Sequence, residues 1–282
     1  MRLVTAAAFL LSPGAVGAQT AAELTTRIEQ RSGVTVPPNT VDTFKAGNPD
    51  AKVTGIAVTM MATLDVLQRA AAKGHNLIIT HEPVFYSHRD ATEVLAGEGD
   101  PVFAAKQKFI ADNGLVIWRF HDRPHAMKPD MIRAGMLEAL EWKTHQRADN
   151  PALFDLPPTT IANLAATLRE KLGAATLRIV GDSSSLVSWA AITHGFPGFG
   201  ANRAALNLPG VEVLVMGEDH EWETIGYGVD AVTAGLLKGI IVLGHVPSEQ
   251  SGMAFVARWL REFISEVPVE LIETADPFSQ PD

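Results

Sequence analysis

The sequence predicts an α/β protein whose strands run out into histidines and carboxylates. Three observations carry that reading. Leu77-Ile78-Ile79 has the unbroken, β-branched apolarity of a strand buried on both faces, and it stops at His81 and Glu82 before Pro83, which offers no N–H to a ladder. Val53 to Val58 reads as another strand and Leu64 to Ala72 as a helix closed by Lys73-Gly74, so the stretch up to Thr80 is a βαβ unit. The same ending then recurs downstream, each time an apolar strand followed by histidine and acid. In open α/β sheets, ligands gather outside the carboxyl ends of parallel strands, which makes a polar pair there a candidate site; the alternative is a turn with two solvated side chains.

Composition bounds the class. The chain has 282 residues, 46% hydrophobic and 20% charged, which suits a globular protein of one large or two small domains. Its net charge of −9 argues against binding nucleic acid or an anionic membrane, because both are recognised by clustered Lys and Arg. With no cysteine, disulfides, thiolate metal sites and a cysteine-linked lipid anchor are excluded. Met1 and Arg2 precede a run that is apolar or small through Leu11 and reaches Val16-Gly17-Ala18. That is the pattern of a secretory leader over residues 1–18, implying a secreted, periplasmic protein; the alternative is a buried N-terminal helix. No later stretch approaches the roughly 20 apolar residues of a membrane span.

In chain order, Ala21 to Arg31 reads as an amphipathic helix and Asp42 to Asp50 as loop. After the βαβ unit, Tyr86 to Asp100 reads as a surface loop, Phe103 to Ile110 as a helix, and Gly114 to Trp118 as a strand that ends at His121-Asp122 and His125. Asp130 to Ala139 is expected to be a helix and Asp149 to Pro158 a linker. A helix over Thr160 to Leu172, closed by Gly173, precedes a strand over Leu177 to Asp182. Leu186 to Ile192 is a strand entering a glycine-rich turn at His194, which lacks the spacing of a phosphate-binding loop. Val211 to Met216 ends at Glu218 and His220, and Ile240 to Leu243 at His245 and Glu249. A last helix and a strand over Val267 to Ile272 complete the chain.

His81/Glu82, His121/Asp122/His125, Glu218/His220 and His245/Glu249 can converge if their strands share one sheet edge. Imidazole and carboxylate without thiolate suit divalent Zn, Mn, Fe, Co or Ni rather than a structural zinc cage. His245 and Glu249 lie one helical turn apart, with Ser248 as the expected N-cap and Glu249 poised to bridge two cations.

The run Gly55 to Pro83, the strand into His121 and His125, Gly217-Glu218 with His220, and Gly244-His245 with Ser248-Glu249 resemble the Nif-three-like family of dinuclear-metal-centre proteins, also described as GTP cyclohydrolase I type 2 homologues. The resemblance implies two α/β domains, the larger formed from residues 19–128 and 186–282 and the smaller inserted over 129–185, assembled as a ring-shaped homohexamer. Members typically carry two adjacent histidines before the proline, and a histidine, three residues and an aspartate in the next motif. Here Glu82 replaces one histidine and His125 the aspartate, so three imidazoles and two carboxylates remain for two divalent transition-metal ions. By analogy His81, His245 and Glu249 hold one ion, and Glu82, His125 and the shared Glu249 the other. His121, Glu218 and His220 would orient ligands or carry protons. His75, His88 and His145 are expected at the surface, and His194 in a simple tight turn.

The leading expectation is a dinuclear metal-dependent hydrolase acting on a small anionic substrate, a phosphoester or nucleotide, with GTP ring opening as a narrower version. A non-catalytic metal-binding or scaffold ring protein is the alternative. A third reading leaves the strand-end histidines without metal.

Overall fold

The structure, a computed structural model, describes residues 19–280, so the leader expected over 1–18 lies outside it. Helix α1 (Ala21–Ser32) is closed at its start by a reciprocal pair: Thr20 Oγ1 accepts from Glu23 N–H, and the Glu23 carboxylate accepts from Thr20 N–H. There follow β1 (Phe44–Ala46), β2 (Ile56–Thr59), α2 (Leu64–Ala72), β3 (Leu77–Thr80), α3 (Glu93–Glu98), α4 (Pro101–Asp112) and β4 (Val116–Arg119). The short α5 (Asp122–Ala126) and α6 (Met131–Leu140) lead to β5 (Leu153–Thr160), α7 (Ile161–Leu172), β6 (Arg178–Gly181) and β7 (Leu186–Ile192). The chain ends with α8 (Phe199–Leu206), β8 (Val213–Met216), α9 (Gly226–Thr233), β9 (Gly239–Val242), α10 (His245–Arg261) and β10 (Val269–Leu271).

Among the described residues the strands form two five-stranded sheets. In the first, ordered β1-β4-β3-β2-β10, all pairings are parallel except that of the edge strand β1. Every residue of β2, β3 and β4 is buried, as parallel strands covered on both faces require. In the second, ordered β5-β7-β8-β9-β6, three parallel strands are flanked by antiparallel β5 and β6.

Sheet membership departs from the expected division. Strands β7, β8 and β9 pair with β5 and β6 rather than with the first sheet, which takes only β10 from the end of the chain. Apolar runs read alike whichever sheet they enter, because pairing partners are a long-range property that periodicity does not carry. Two segments expected to be irregular hold edge strands: β1 lies within 42–50, and β5 starts within 149–158 and runs on to Thr160. Pro157 and Pro158 hide β5 from a pattern search. They are tolerated because β5 is an edge strand whose register shifts between Asp155 and Thr159. The expected loop over 86–100 likewise contains α3.

Helices α6 and α10 join the two halves. Met253, Val256, Ala257 and Leu260 of α10 pack into the core of the first sheet with Met131 and Ile132, while Met136, Leu137 and Leu140 of the same α6 pack into the second. The two helices touch backbone to backbone: a Cβ on Gly135 would lie 2.4 Å from Ser251 O, and one on Gly252 would lie 2.5 Å from Ile132 Cα. Full burial of Val256 or Leu260 stabilises the fold by roughly 1.5–3 kcal/mol each. Among the described residues no helix is long and apolar enough to cross a membrane.

Candidate metal centre

The carboxyl ends of the two sheets face each other, and the side chains just beyond them meet. His81 and Glu82 follow β3, His121 follows β4, His194 follows β7, Glu218 follows β8 and His245 follows β9, while the first turns of α10 add Glu249. The single shared edge expected from the sequence is thus replaced by two opposed edges.

His81 is fully buried. Its Nδ1 donates to Phe120 O at 3.2 Å, which leaves Nε2 as the nitrogen facing the cluster. Among the described residues that buried Nε2 has no hydrogen-bond partner; Glu249 Oε2 stands 3.4 Å away and Glu82 Oε1 4.0 Å. The other rings are held in the same manner, each by a carboxylate at Nδ1: His121 by Asp122 at 2.9 Å, His125 by Asp130 at 3.0 Å, and His245 by Glu218 at 2.8 Å. His245 Nε2 lies 3.2 Å from Glu249 Oε2 and 3.4 Å from Glu82 Oε1, and His121 Nε2 lies 3.6 Å from the same Glu82 oxygen. The rings of His81, His121 and His125 are packed with centroids 4.6–5.0 Å apart.

Electrostatics report a site that demands positive charge. Burial alone would raise the Glu82 carboxyl, but the hydrogen bond with His245 and the charges of His81, His245 and His121 outweigh it and hold the group at about 2. Burial also opposes ionisation of Glu249, yet the charge of His81 and hydrogen bonds from His194 and His245 keep it far below the usual range. Against its own burial, His245 is pushed up to about 12 by hydrogen bonds to Glu218, Glu249 and Glu82. His121 goes the other way, down to about 4, because burial and the neighbouring His81 disfavour its cation. A proton on His245 therefore stands where a cation would be welcome.

The donor set fits a metal. The donors of His81, His121 and His125 lie within 4.8 Å of one another, as do those of His81, Glu82 and Glu249, so two ligand-capable groups share His81. Buried imidazole and carboxylate with each ring steered from behind suit a transition-metal dication. An unpartnered buried Nε2 is the atom such an ion would satisfy.

The scaffold around the cluster is specific. Gly195, at φ +59°, lies so close that a Cβ there would fall 2.2 Å from Glu249 Oε1, so only glycine fits. Ser248 is not the expected helix cap. Helix α10 begins at His245 with Gly244 before it, which places Ser248 inside the first turns, where its hydroxyl accepts from Gly195 N–H and donates to His245 O. Asp42, from the stretch read as loop, accepts from the N–H groups of His121, Asp122 and Arg123 at 2.7–2.9 Å and so pins the turn that carries His121.

Of the residues singled out in the sequence, His81, Glu82, His121, His125, Glu218, His245 and Glu249 come together. His220 does not. It is exposed, stacks on Trp222 at 4.4 Å, pairs with Glu223 at 3.3 Å and is not among the residues lining the cavity beside the cluster. His194, expected in a plain turn, instead bonds Glu249 Oε1 at 2.9 Å and stacks on His125; it follows a strand end, so the rule that found the others extends to it. His75, expected at the surface, is buried with both ring nitrogens unpaired, 3.5 Å from Glu270. His145 is half-buried, and the exposed His88 sits on the cavity wall.

That cavity measures about 840 Å³. Beyond the cluster its walls include Met61, Leu64, Tyr86 and Phe196, with Arg133 and the buried Lys106, whose Nζ donates to Val84 O and is pushed down by burial to about 8.

Fold and cluster define an α/β protein with a histidine-carboxylate centre between two sheets. Residues 32–118 match the family model described as Duf34/NIF3 (NGG1p interacting factor 3). Among solved structures, a hypothetical protein of Staphylococcus aureus, SA1388, is similar over 93% of this chain and 99% of its own, with a TM-score of 0.71 at 16% identity. A Bacillus cereus protein related to NIF3 is similar over 94% of this chain and 99% of its own, also with a TM-score of 0.71, at 14% identity. HcgD of Methanocaldococcus jannaschii matches over 90% and 97%, with a TM-score of 0.63 at 13% identity. No curated protein matches the sequence. The resemblance to Nif-three-like proteins is borne out, by the family match over residues 32–118 and by the fold over nearly the whole chain.

Proposed function

We propose that this chain is a dinuclear metal-dependent hydrolase that takes a small anionic substrate, of the phosphoester or nucleotide kind, into the cavity beside the cluster. The observation that carries the metal is the buried, unpartnered Nε2 of His81 set among carboxylates that are held ionised. Divalent ions bound there would act as Lewis acids and make water a nucleophile near neutral pH. The chain's own residues supply the rest. His81, Glu82, His245 and Glu249 would hold one ion. His125 and His121 extend the donors toward a second, so His121 passes from proton carrier to ligand candidate. Glu82 Oε1, between His245 and His121, faces both groups. Glu218, Asp122 and Asp130 steer the rings. The apolar wall at Met61, Leu64 and Phe196 would shield the reacting end from bulk water.

Elemental analysis of the purified protein beside Glu249→Ala tests the centre. About two equivalents of Zn, Mn, Fe, Co or Ni per chain are expected, falling sharply in the variant. Turnover by the loaded protein across phosphatase, phosphodiesterase and nucleotide substrates then tests the reaction, and metal without turnover would favour the binding-protein alternative. Export and a homohexamer belong to the same proposal, supported by the apolar N-terminal stretch and by the family resemblance respectively. Cell fractionation and light scattering measure them.

A further inference from the structure

The Glu82 carboxylate has a partner that the metal reading does not use. Arg119, the last residue of β4, is fully buried and is not among the residues lining the cavity. Its guanidinium is spent on the segment after β3: Nε donates to His81 O at 2.9 Å, Nη1 donates to His88 O, and Nη2 stands 3.4 Å from Glu82 Oε2. Asp90 Oδ2 lies 3.8 Å from Nη1 and is shared with the half-buried Lys45 at 3.6 Å. A buried guanidinium is tolerated only with such partners, and its planar fork addresses several acceptors in fixed directions as an ammonium cannot.

The two oxygens of Glu82 consequently have different surroundings. Oε2 is turned to Arg119, while Oε1 is the atom found near His245, His121 and His81. We propose that Arg119 is a positioning residue that fixes the Glu82 carboxylate as a one-oxygen ligand, holding Oε2 and leaving Oε1 to the cluster. Its bonds to the carbonyls of His81 and His88 anchor the guanidinium itself, so that Nη2 faces Glu82. The inference rests on the metal-centre reading above, and it concerns the chain's residues rather than the reaction.

The test loads the full-length protein with Co²⁺ and measures affinity by chelator competition and coordination by visible absorption, for wild type, Arg119→Met, Glu82→Gln and the double variant. Loss of a group that orients a ligand costs on the order of 10–100-fold in metal affinity. Arg119→Met and Glu82→Gln are each expected to show that loss and to change the spectrum alike, with the double variant no weaker than the weaker single one. Ile117→Val, a truncation at a fully buried position of the same strand, should lower the melting temperature while leaving affinity and spectrum unchanged. Folded Arg119→Met with wild-type affinity and spectrum overturns the proposal, and so do losses that multiply in the double variant. Should circular dichroism show that Arg119→Met does not fold, Arg119→Lys decides: it keeps the charge but not the fork, so reduced affinity supports the proposal and wild-type values overturn it. Wild-type protein that takes up no Co²⁺ would instead overturn the metal reading and this inference with it.

Discussion

Two histidine-carboxylate clusters in this chain look alike as residue lists and differ as chemistry. At the opposed sheet ends, His81, Glu82, His245 and Glu249 are largely withdrawn from solvent, one imidazole nitrogen is unpaired, and the second nitrogen of each ring is steered by a carbonyl or carboxylate. Beyond β8, Asp219, His220 and Glu223 also bring ligand-type atoms together, but there Asp219 is already bonded by Asn202 and Thr224, and His220 lies against Trp222 in the open. Residue type and spacing are shared. What separates the two is whether polar atoms are buried without partners, since a solvated cluster satisfies itself with water and needs no ion.

The comparison can be broken most forcefully at Glu249. Metal content should collapse in Glu249→Ala and stay at the wild-type level in His220→Ala, both read by elemental analysis; loss in the second variant would move the centre to the other cluster.

Burial sharpens the contrast next through Lys106. Its folded value of about 8 lies below the ordinary 10.5, so between those limits the unfolded chain binds more protons than the folded one. Stability should therefore rise with pH across that window by ~3 kcal/mol, and below it the fold bears the full cost of a buried ammonium. Urea unfolding should show this slope in the difference between wild type and Lys106→Met, because burial lowers Lys45 in both.

Backbone crowding ranks third. Gly195→Ala meets both a left-handed φ and the Glu249 carboxylate, and should cost about 2–3 kcal/mol together with metal. Gly173→Ala has a similar φ of +65° and open space, and should cost ~1 kcal/mol with metal retained. Thermal melts and metal content separate the two. A smaller effect is expected from Asp130→Asn, which leaves His125 in place but loosens its steering: about 10–100-fold in metal affinity by chelator competition, with the melting temperature of the metal-free protein little changed.

Most elements were legible because buried strands and amphipathic helices write themselves locally. The run into His81 and the one-turn spacing of His245 and Glu249 needed no tertiary information. Pairing partners did need it, so β7 to β9 read as part of the wrong sheet and β5 was hidden by its prolines. At the site, strand-end position identified the ligand candidates, but it could not distinguish His220 from His194, because the difference is which way a turn faces after its strand. Asp42 and Arg119 carried no local signal at all. Each acts on a segment far from it in the chain, and a capping carboxylate or buried guanidinium looks in sequence like any loop or strand charge.

The centre sits where the two sheets oppose each other, with His81 on one side and Glu218 and His245 on the other. This chain has no cysteine, hence no covalent tie between parts distant in sequence. An ion held jointly by His81 and Glu249 would be that tie. It would close a long loop of the chain reversibly and remove conformational entropy from the unfolded ensemble as a disulfide does. A chelator would then act as the reductant of this cross-link, loosening the seam between α6 and α10 before either sheet unfolds, which hydrogen exchange along those two helices would register.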